Sequence, residues 1–248
     1  MKKTIIAIIS IGMLWATAAV ASGHGAHWGY LGNEAPEYWG DLASEYQLCK
    51  KGNNQSPIDI DSTIEAALSP IIFHYQETSV DMVDNGHTVQ LNYAPGSFIV
   101  IRNHRFELLQ LHFHTPSENK VHHNFYPMEA HLVHRDKDGQ LAVVAVFFEE
   151  GASNPLLDKL WPHMPTKVGQ VVKLPEITFN VEEMLPADHS YYYFNGSLTT
   201  PPCTQGVAWM VLKTPATITR KQFQKFHDII GSDNNRPIQP MNARPVLQ

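Results

Sequence analysis

The sequence has little of what marks a nucleic-acid-binding, membrane-spanning or multidomain protein. Basic residues are in the minority, with 18 Lys and Arg against 24 Asp and Glu, and this balance argues against a nucleic-acid or anionic-membrane partner. Beyond residue 21, no apolar run approaches the roughly 20 residues that a membrane-spanning helix needs. Internal repeats, low-complexity tracts and linker-like stretches are also absent, so we expect a single domain over residues 22–248.

The one long apolar stretch lies at the N-terminus, over residues 5–20. Lys2 and Lys3 precede it, and the Ala-Val-Ala of residues 19–21 has the small-x-small pattern of a signal-peptidase site. The stretch is shorter than the roughly 20 residues of a membrane span, which disfavours an uncleaved anchor. We therefore predict a cleaved signal peptide over residues 1–21 and a periplasmic or secreted mature protein.

Cysteine is also scarce, since the chain has only Cys49 and Cys203. In an oxidising compartment an isolated pair is more often a disulfide than two free thiols. We predict a Cys49–Cys203 disulfide. Because Cys203 directly follows residues 197–202, the bridge would brace that loop.

Helical patterns are sparse, whereas strand patterns fill the middle of the chain. Segments rich in β-branched and aromatic residues, bounded by turn-forming residues, predict strands over residues 88–93, 97–103, 106–114, 128–135, 141–148 and 207–212. Short connections favour antiparallel neighbours. A capping-box pattern at Thr219 predicts a helix to about Ile230, and residues 154–161 favour a shorter one. The predicted fold class is α+β, a single domain on a large, mostly antiparallel β-sheet with a few short peripheral helices.

Histidine is abundant, with 14 in the chain, and three are placed to bind one metal ion. Strand alternation puts Gln110, His112 and His114 on one face of their strand. His131, on the neighbouring predicted strand, can lie opposite them, because directly opposed residues of antiparallel strands are about 5 Å apart. His134 lies three residues after His131 and points to the other face, which excludes it from the same site.

Three neutral imidazoles with one open position are typical of catalytic zinc, which keeps its fourth position for water. The sequence therefore predicts one Zn²⁺ per chain. Gln110 and Glu129 each lie two residues before a ligand on the same face, where each can accept a ring N–H and fix the tautomer. A competing ligand set would draw on His122 and His123, but these lie in a Lys- and Asn-rich connection and are predicted to be solvated.

These segments resemble those of the α-carbonic anhydrases, and the resemblance covers essentially the whole mature chain. The matching segments are residues 27–30, 54–58, 110–114, 129–134, 196–203 and 235–240. The resemblance implies a twisted central sheet and a conical cavity that leads to zinc on His112, His114 and His131. It implies the reversible hydration of carbon dioxide to bicarbonate and a proton by a metal-bound hydroxide. Carbon dioxide, bicarbonate and water are the partners it implies, with small anions and sulfonamides as inhibitors; a homodimer is left open.

The same resemblance assigns three catalytic residues. Thr199 is similar to the residue that accepts a hydrogen bond from the hydroxide, and Glu118 to the carboxylate behind it. A hydroxyl both accepts and donates, whereas an ionised carboxylate only accepts, so a Thr199 that donates to Glu118 must accept from the hydroxide. His87, which follows a turn at residues 84–86, is similar to the histidine that carries the proton towards solvent.

The resemblance also implies how the rest of the cavity is lined. The apolar wall beside the metal corresponds to Val133, Val143, Leu198, Val207 and Trp209. Thr200 belongs to the same substrate pocket. The polar side chains that order water correspond to Tyr30, Asn85 and Gln90. Cis peptide bonds are implied before Pro57 and Pro202.

The sequence departs from animal members of the family at two places. Only residues 115–117 connect His114 to Glu118, and Arg135 stands where animal members have tryptophan. Both departures resemble the bacterial branch, with trimmed loops and a more open cavity.

Two other classes of function are disfavoured. A non-catalytic binding module on this fold usually lacks a metal histidine, whereas all three are present here together with Thr199 and Glu118. A dedicated zinc protease would carry a His-Glu-x-x-His helix, which the sequence lacks. A zinc hydrolase of an activated ester remains the alternative to test.

Overall fold

The computed structural model describes residues 26–248. The predicted signal peptide, residues 1–21, lies outside the described residues. Among residues 26–248 there is no helix with the length and apolar character needed to cross a bilayer.

The described residues contain thirteen strands and four short α-helices. The strands are β1 Asp59–Ile60, β2 Ile72–His74, β3 Val80–Asp84, β4 Val89–Tyr93, β5 Phe98–Ile101, β6 His104–His114, β7 Lys120–Val121, β8 Met128–Arg135, β9 Leu141–Glu150, β10 Val171–Lys173, β11 Tyr191–Ser197, β12 Gln205–Leu212 and β13 Ala216–Ile218. The helices are α1 Trp39–Leu42, α2 Leu48–Lys51, α3 Pro155–Leu160 and α4 Arg220–Ile230. Four single 3₁₀ turns lie at Gly32–Glu34, Ser44–Tyr46, Trp161–His163 and Val181–Met184.

Eleven of the strands form one sheet, whose main path runs β10-β3-β4-β6-β8-β9-β12-β11. Strand β2 joins it through β5, which pairs with β6, and β13 pairs with β9. Neighbouring strands of this sheet are antiparallel, with two exceptions: β9 is parallel to β12 and to β13. Strands β1 and β7 form a separate parallel pair. The predicted α+β class and its large, mostly antiparallel sheet are confirmed.

The sheet separates two apolar clusters. Strand β8 is buried at every position except Arg135, and β9 is buried over most of its length, as expected for strands covered on both faces. Leu111, Phe113 and Leu132 belong to the larger cluster on one face. Val133 belongs to the cluster on the other face. Alternation along β6 and β8 therefore presents His112, His114 and His131 on the same side as the smaller cluster.

The two predicted helices are present with their caps. Helix α4 begins after Thr219, whose side chain and that of Gln222 form a reciprocal capping box, and it ends at Gly231 with φ of 76°. Helix α3 is capped by Asn154, whose side chain accepts from the first backbone N–H groups of the helix.

The strand predicted over residues 97–103 is shorter in the structure, and the next one begins earlier than predicted. Arg102 and Asn103 have φ of 50° and 61°, so they form the tight turn between β5 and β6. Neither residue is Gly, so the turn lacks the glycine that usually marks such a position in a sequence. Strand β6 consequently starts at His104 rather than at Phe106.

The covalent predictions are confirmed. Cys49 and Cys203 are joined across a sequence separation of 154 residues, and such a disulfide is compatible with an exported protein. The peptide bonds before Pro57 and Pro202 are cis, as is a third, unpredicted one before Pro116.

Candidate active site

Three histidines converge at the centre of the sheet. Strands β6 and β8 pair so that His112 lies directly opposite His131, with His114 two residues further along β6. One ring nitrogen from each histidine lies within 4.8 Å of one from each of the others. His114 and His131 are each only 1% exposed. The three histidines thus share the face that strand alternation predicts for them.

Each ring is held from behind by one acceptor. His112 Nδ1 lies 2.8 Å from Gln110 Oε1, and His131 Nε2 lies 3.0 Å from Glu129 Oε1, as the two-residue spacing predicted. His114 Nδ1 donates instead to the backbone carbonyl of Asn234, at 2.8 Å. These bonds fix the tautomers and leave the second nitrogen of each ring facing the centre.

The contact between His114 and Asn234 has no counterpart among the predictions from the sequence. Its acceptor is a main-chain oxygen 120 residues away, and a carbonyl has no side-chain signature. The inward Nε2 of His114 has no hydrogen-bond partner among the described residues, although it is buried. A buried nitrogen with a free lone pair is costly unless a proton donor or a metal ion binds it. The donor set therefore fits a metal ion.

Burial keeps the three imidazoles neutral. The pKa of His112 lies well below its usual value because of burial and then the neighbouring His114 and His131. Burial lowers the pKa of His114 and lowers that of His131 to about 4, against the attraction of Glu118 in both cases. Neutral rings offer lone pairs at ordinary pH, as metal binding requires.

Glu129 is the anchor behind His131. Its carboxylate is buried and accepts from the backbone N–H groups of Glu118 and Asn119, and from the Asn119 side chain, at 2.7–2.9 Å. Burial raises the pKa of Glu129 to about 7, although the Asn119 bonds work in the opposite direction. The carboxylate is therefore fully bonded within the protein, and this fixes the direction of the His131 ring.

Glu118 is buried beside the same histidines. Its Oε1 accepts from the backbone N–H of Arg236 at 2.9 Å. Its Oε2 lies 3.4 Å from His114 Nε2 and 3.8 Å from His131 Nδ1, and it has no hydrogen-bond partner among residues 26–248. The hydrogen bond expected from Thr199 to Glu118 is therefore not formed in this structure, where the free carboxylate oxygen turns towards the imidazoles.

A cavity of about 110 Å³ opens onto two of the histidines. Its lining includes five of the residues that the resemblance assigned to it: Tyr30, Asn85, His87, Gln90 and Thr200. Trp28 and Thr88 also line it and were not predicted. Burial, followed by the charge of Glu118, raises the pKa of Tyr30 well above its usual value, so its hydroxyl stays protonated.

The five residues of the expected apolar wall pack together. Val133, Val143, Val207 and Trp209 belong to the smaller apolar cluster, and Leu198 packs against it. The ring of Trp209 meets His131 edge to face, with the centroids 4.9 Å apart. The histidine centre thus has a polar side towards Gln90 and an apolar side formed by this wall.

His87 lies at the cavity wall and is held in place. Its ring stacks on Trp28 with centroids 3.6 Å apart and planes at 8°. Its backbone N–H donates to Asn85 Oδ1 at 3.0 Å, and its carbonyl accepts from Asn234 Nδ2 at 2.9 Å. Burial, with a smaller effect from His27, lowers its pKa below 6.5.

The other histidines that were considered as ligands lie elsewhere. His134 is buried on the opposite face of β8, where its Nε2 lies 2.8 Å from the Tyr75 hydroxyl. His122 and His123 are exposed and lie beside Asp59 and Asp61. None of these three histidines therefore lies at the three-histidine centre.

Comparison with known proteins agrees with this geometry. The family described as eukaryotic-type carbonic anhydrase matches residues 34–248. A carbonic anhydrase of Neisseria gonorrhoeae is 44% identical over 99% of this chain and 98% of its own length. One from Klebsiella pneumoniae is 47% identical over 90% of this chain and 91% of its own.

Solved structures give the same result. The α-carbonic anhydrase of Thermovibrio ammonificans, solved in complex with the inhibitor sulfanilamide, superposes with a TM-score of 0.88. It is 47% identical, and the match covers 90% of this chain and all of that one. On the family match, the bacterial relatives and the shared fold, the chain belongs to the α-carbonic anhydrases, a family of carbonate dehydratases.

Proposed function

We propose that this chain catalyses the zinc-dependent, reversible hydration of carbon dioxide to bicarbonate and a proton, with His87 as the proton acceptor. Three imidazoles with converging inward nitrogens, two of them buried and that of His112 half-buried, carry the proposal, because tetrahedral zinc with three histidines leaves one position open. His112 Nε2, His114 Nε2 and His131 Nδ1 would hold the ion. When bound, zinc supplies water with a pKa of about 7, a value established for carbonic anhydrases in general.

The apolar wall receives the substrate. Carbon dioxide carries no charge and gains more from an apolar surface than from hydrogen bonds, and Val143, Val207 and Trp209 offer such a surface beside His131. Leu198 and Val133 complete the wall, and Thr200 lies at the cavity side. Bicarbonate is charged and gains less from the same surface, which favours its release.

Thr199 and Glu118 orient the attacking oxygen. Glu118 has one oxygen held by the Arg236 backbone and one oxygen free, so it can accept a hydrogen bond from the Thr199 hydroxyl. Thr199 must then accept from the nucleophile, which turns the nucleophile's lone pair towards carbon dioxide. The two groups are not hydrogen-bonded in the structure, so this role requires a rotation of the Thr199 or the Glu118 side chain.

The mature protein, residues 22–248, is expected to carry one zinc per chain. Its carbon dioxide hydration should exceed its hydrolysis of an activated ester by orders of magnitude, and chelation should abolish both. Metal quantification combined with the two assays tests this. Ester turnover that matches or exceeds carbon dioxide turnover would instead support a zinc hydrolase.

The same site would bind inhibitors that carry a negative charge on a small head group. Small anions and sulfonamides are proposed to occupy the open position, and the sulfanilamide complex of the Thermovibrio ammonificans relative supports this. We also propose that the enzyme is exported to the periplasm or secreted after cleavage at residue 21.

The role of His87 follows from a rate limit. An acid of pKa about 7 releases its proton to water at roughly 10³ s⁻¹ when recombination is diffusion-limited. The turnover near 10⁶ s⁻¹ known for carbonic anhydrase therefore needs a nearby acceptor, for which histidine has the most suitable pKa. We expect His87→Ala to lower kcat at least about tenfold in dilute buffer and to leave kcat/KM nearly unchanged.

The pH dependence of wild-type kcat and the chemical rescue of His87→Ala provide two further tests of this role. His87 accepts a proton only when neutral, and its pKa is lowered from 6.5, so wild-type kcat should rise with pH through an inflection below 6.5. Imidazole buffer should restore much of the loss in His87→Ala. His74→Ala, an exposed position on strand β2, is the matched control and should leave kcat unchanged. If wild-type kcat is well above about 10³ s⁻¹ and His87→Ala retains it, the shuttle role is wrong.

A further inference from the structure

A second group of histidines and carboxylates lies on the surface, outside the cavity. The parallel pair of β1 and β7 sets Asp59 opposite Lys120 and Ile60 opposite Val121. Continuing this register by one residue sets Asp61 beside His122, and His123 follows. The side chains of Asp59, Asp61, His122 and His123 meet in one patch, the Asp–His cluster.

Asp59 fixes the tautomer of His123. Its Oδ2 lies 2.6 Å from His123 Nδ1, and its Oδ1 accepts the His123 backbone N–H at 3.1 Å. A carboxylate only accepts, so the proton of this bond belongs to Nδ1. A histidine held this way by a carboxylate has the arrangement found behind metal-binding imidazoles.

The opposite edge of the same ring faces a second carboxylate. His123 Nε2 lies 3.4 Å from Asp61 Oδ1, and His122 Nδ1 lies 3.7 Å from the same oxygen. In the neutral ring Nε2 is an acceptor, so it and the carboxylate repel each other unless a proton or a metal ion lies between them. Metal bonds of 2.0–2.2 Å place neighbouring ligand atoms roughly 3–3.5 Å apart. The 3.4 Å distance falls within that range.

The ligand atoms of the Asp–His cluster are further apart than those of the three-histidine centre. Among the described residues, His112, His114 and His131 are the group whose ligand atoms all lie within 4.8 Å of one another. In the Asp–His cluster, however, the side chains of His122 and Asp61 are 69% and 55% exposed. Both histidines already lie near Asp61 Oδ1, so the two rings are the ligands that must come closer together. An exposed side chain changes rotamer without disturbing any packing, and a rotation of His122 can bring its ring nitrogen towards His123 Nε2.

We propose that Asp61, His122 and His123 form a second binding site for a divalent transition-metal ion, with Asp59 as the carboxylate that orients His123. Two imidazoles and one carboxylate suit borderline ions such as Zn²⁺ and Ni²⁺ rather than Ca²⁺ or Mg²⁺, which prefer all-oxygen sites. The remaining ligand positions face water. The site is independent of the three-histidine centre and of the reaction there.

A proton competes for the same position. Asp59, by its hydrogen bond, and then Asp61 raise the pKa of His123, whereas Lys120 on β7 lowers it. Metal binding must therefore displace a proton from His123, so the affinity falls as the pH is lowered.

The test is a calorimetric titration of Ni²⁺ into the zinc-loaded mature protein, with zinc content measured before and after. The reference protein and every variant carry His24→Ala, because the new N-terminus, Ser22-Gly23-His24, would otherwise bind Ni²⁺ itself through its amine, its amides and the imidazole. We expect one additional equivalent of Ni²⁺ to bind without release of zinc. His123→Ala should weaken this binding at least tenfold, and Asp59→Asn, which removes only the orienting carboxylate, between about 10- and 100-fold. His74→Ala is the control for a surface histidine away from the cluster and should bind Ni²⁺ like the wild type.

Carbon dioxide hydration should be unchanged in all three variants, which verifies that they are folded. Absence of a second Ni²⁺ equivalent in the wild type would overturn the proposal. So would wild-type affinity in His123→Ala, since the ion would then be bound elsewhere. Loss of binding in His123→Ala but not in Asp59→Asn would remove the orienting role and leave His123 as a ligand.

Discussion

Replacing His131 with Ala is expected to weaken zinc binding by more than about 100-fold and to abolish carbon dioxide hydration. Loss of a hydrogen-bonding partner behind a metal ligand already costs 10- to 100-fold in affinity, and loss of the ligand itself costs more. His131 lies directly opposite His112 and is held by the fully bonded Glu129 carboxylate. No other described histidine on strand β8 can replace it, because His134 faces the opposite side.

The matched control is His134→Ala, which removes an imidazole of the same size from the same strand. This variant loses the contact with Tyr75 and should be less stable, but it should still bind one zinc. Zinc affinity is measured by competition with a coloured chelator at a temperature where both variants are folded. The ligand assignment would have to be given up if His131→Ala retained full zinc occupancy and activity.

The site was predictable from the sequence to the extent that strand geometry determines it. Side chains alternate with a period of two, so Gln110, His112 and His114 had to share a face, and His134 could not join His131. Strand alternation also predicted the acceptors Gln110 and Glu129. The predicted sheet was correct for a similar reason, since buried central strands are recognisable by their continuous β-branched and aromatic composition.

What the sequence did not reveal depends on backbone groups and on contacts between distant segments. The carbonyl that orients His114 belongs to Asn234, and the ring that supports His87 belongs to Trp28. A main-chain oxygen has no residue type, and pattern analysis cannot pair residues 59 positions apart in irregular segments. The Thr199–Glu118 hydrogen bond was expected from resemblance alone, and the structure places the free Glu118 oxygen beside His114 and His131 instead.

The disulfide connects the N-terminal segment with the loop that carries Thr199. Cys49 and Cys203 close 154 residues, and their carbonyls are also held by buried side chains. The Cys49 carbonyl accepts from the Arg236 guanidinium at 2.8 Å, and the Cys203 carbonyl accepts from Gln55 Nε2 at 3.0 Å. Because these bonds do not require the sulfur atoms, the folded structure should survive removal of the bridge.

Cys49→Ser combined with Cys203→Ser is therefore expected to lower the free energy of unfolding by up to about 5 kcal/mol, the chain-entropy value for so long a loop. The cost arises in the unfolded chain, which regains the freedom that the cross-link removed. Zinc stoichiometry should remain one per chain, since neither cysteine contacts a histidine ligand. Guanidinium denaturation of the zinc-loaded proteins measures the change. Added reductant should lower the denaturation midpoint of the wild type almost to that of the double variant and leave the midpoint of the variant unchanged. Equal midpoints for the oxidised wild type and the variant would show that the bridge contributes nothing to stability.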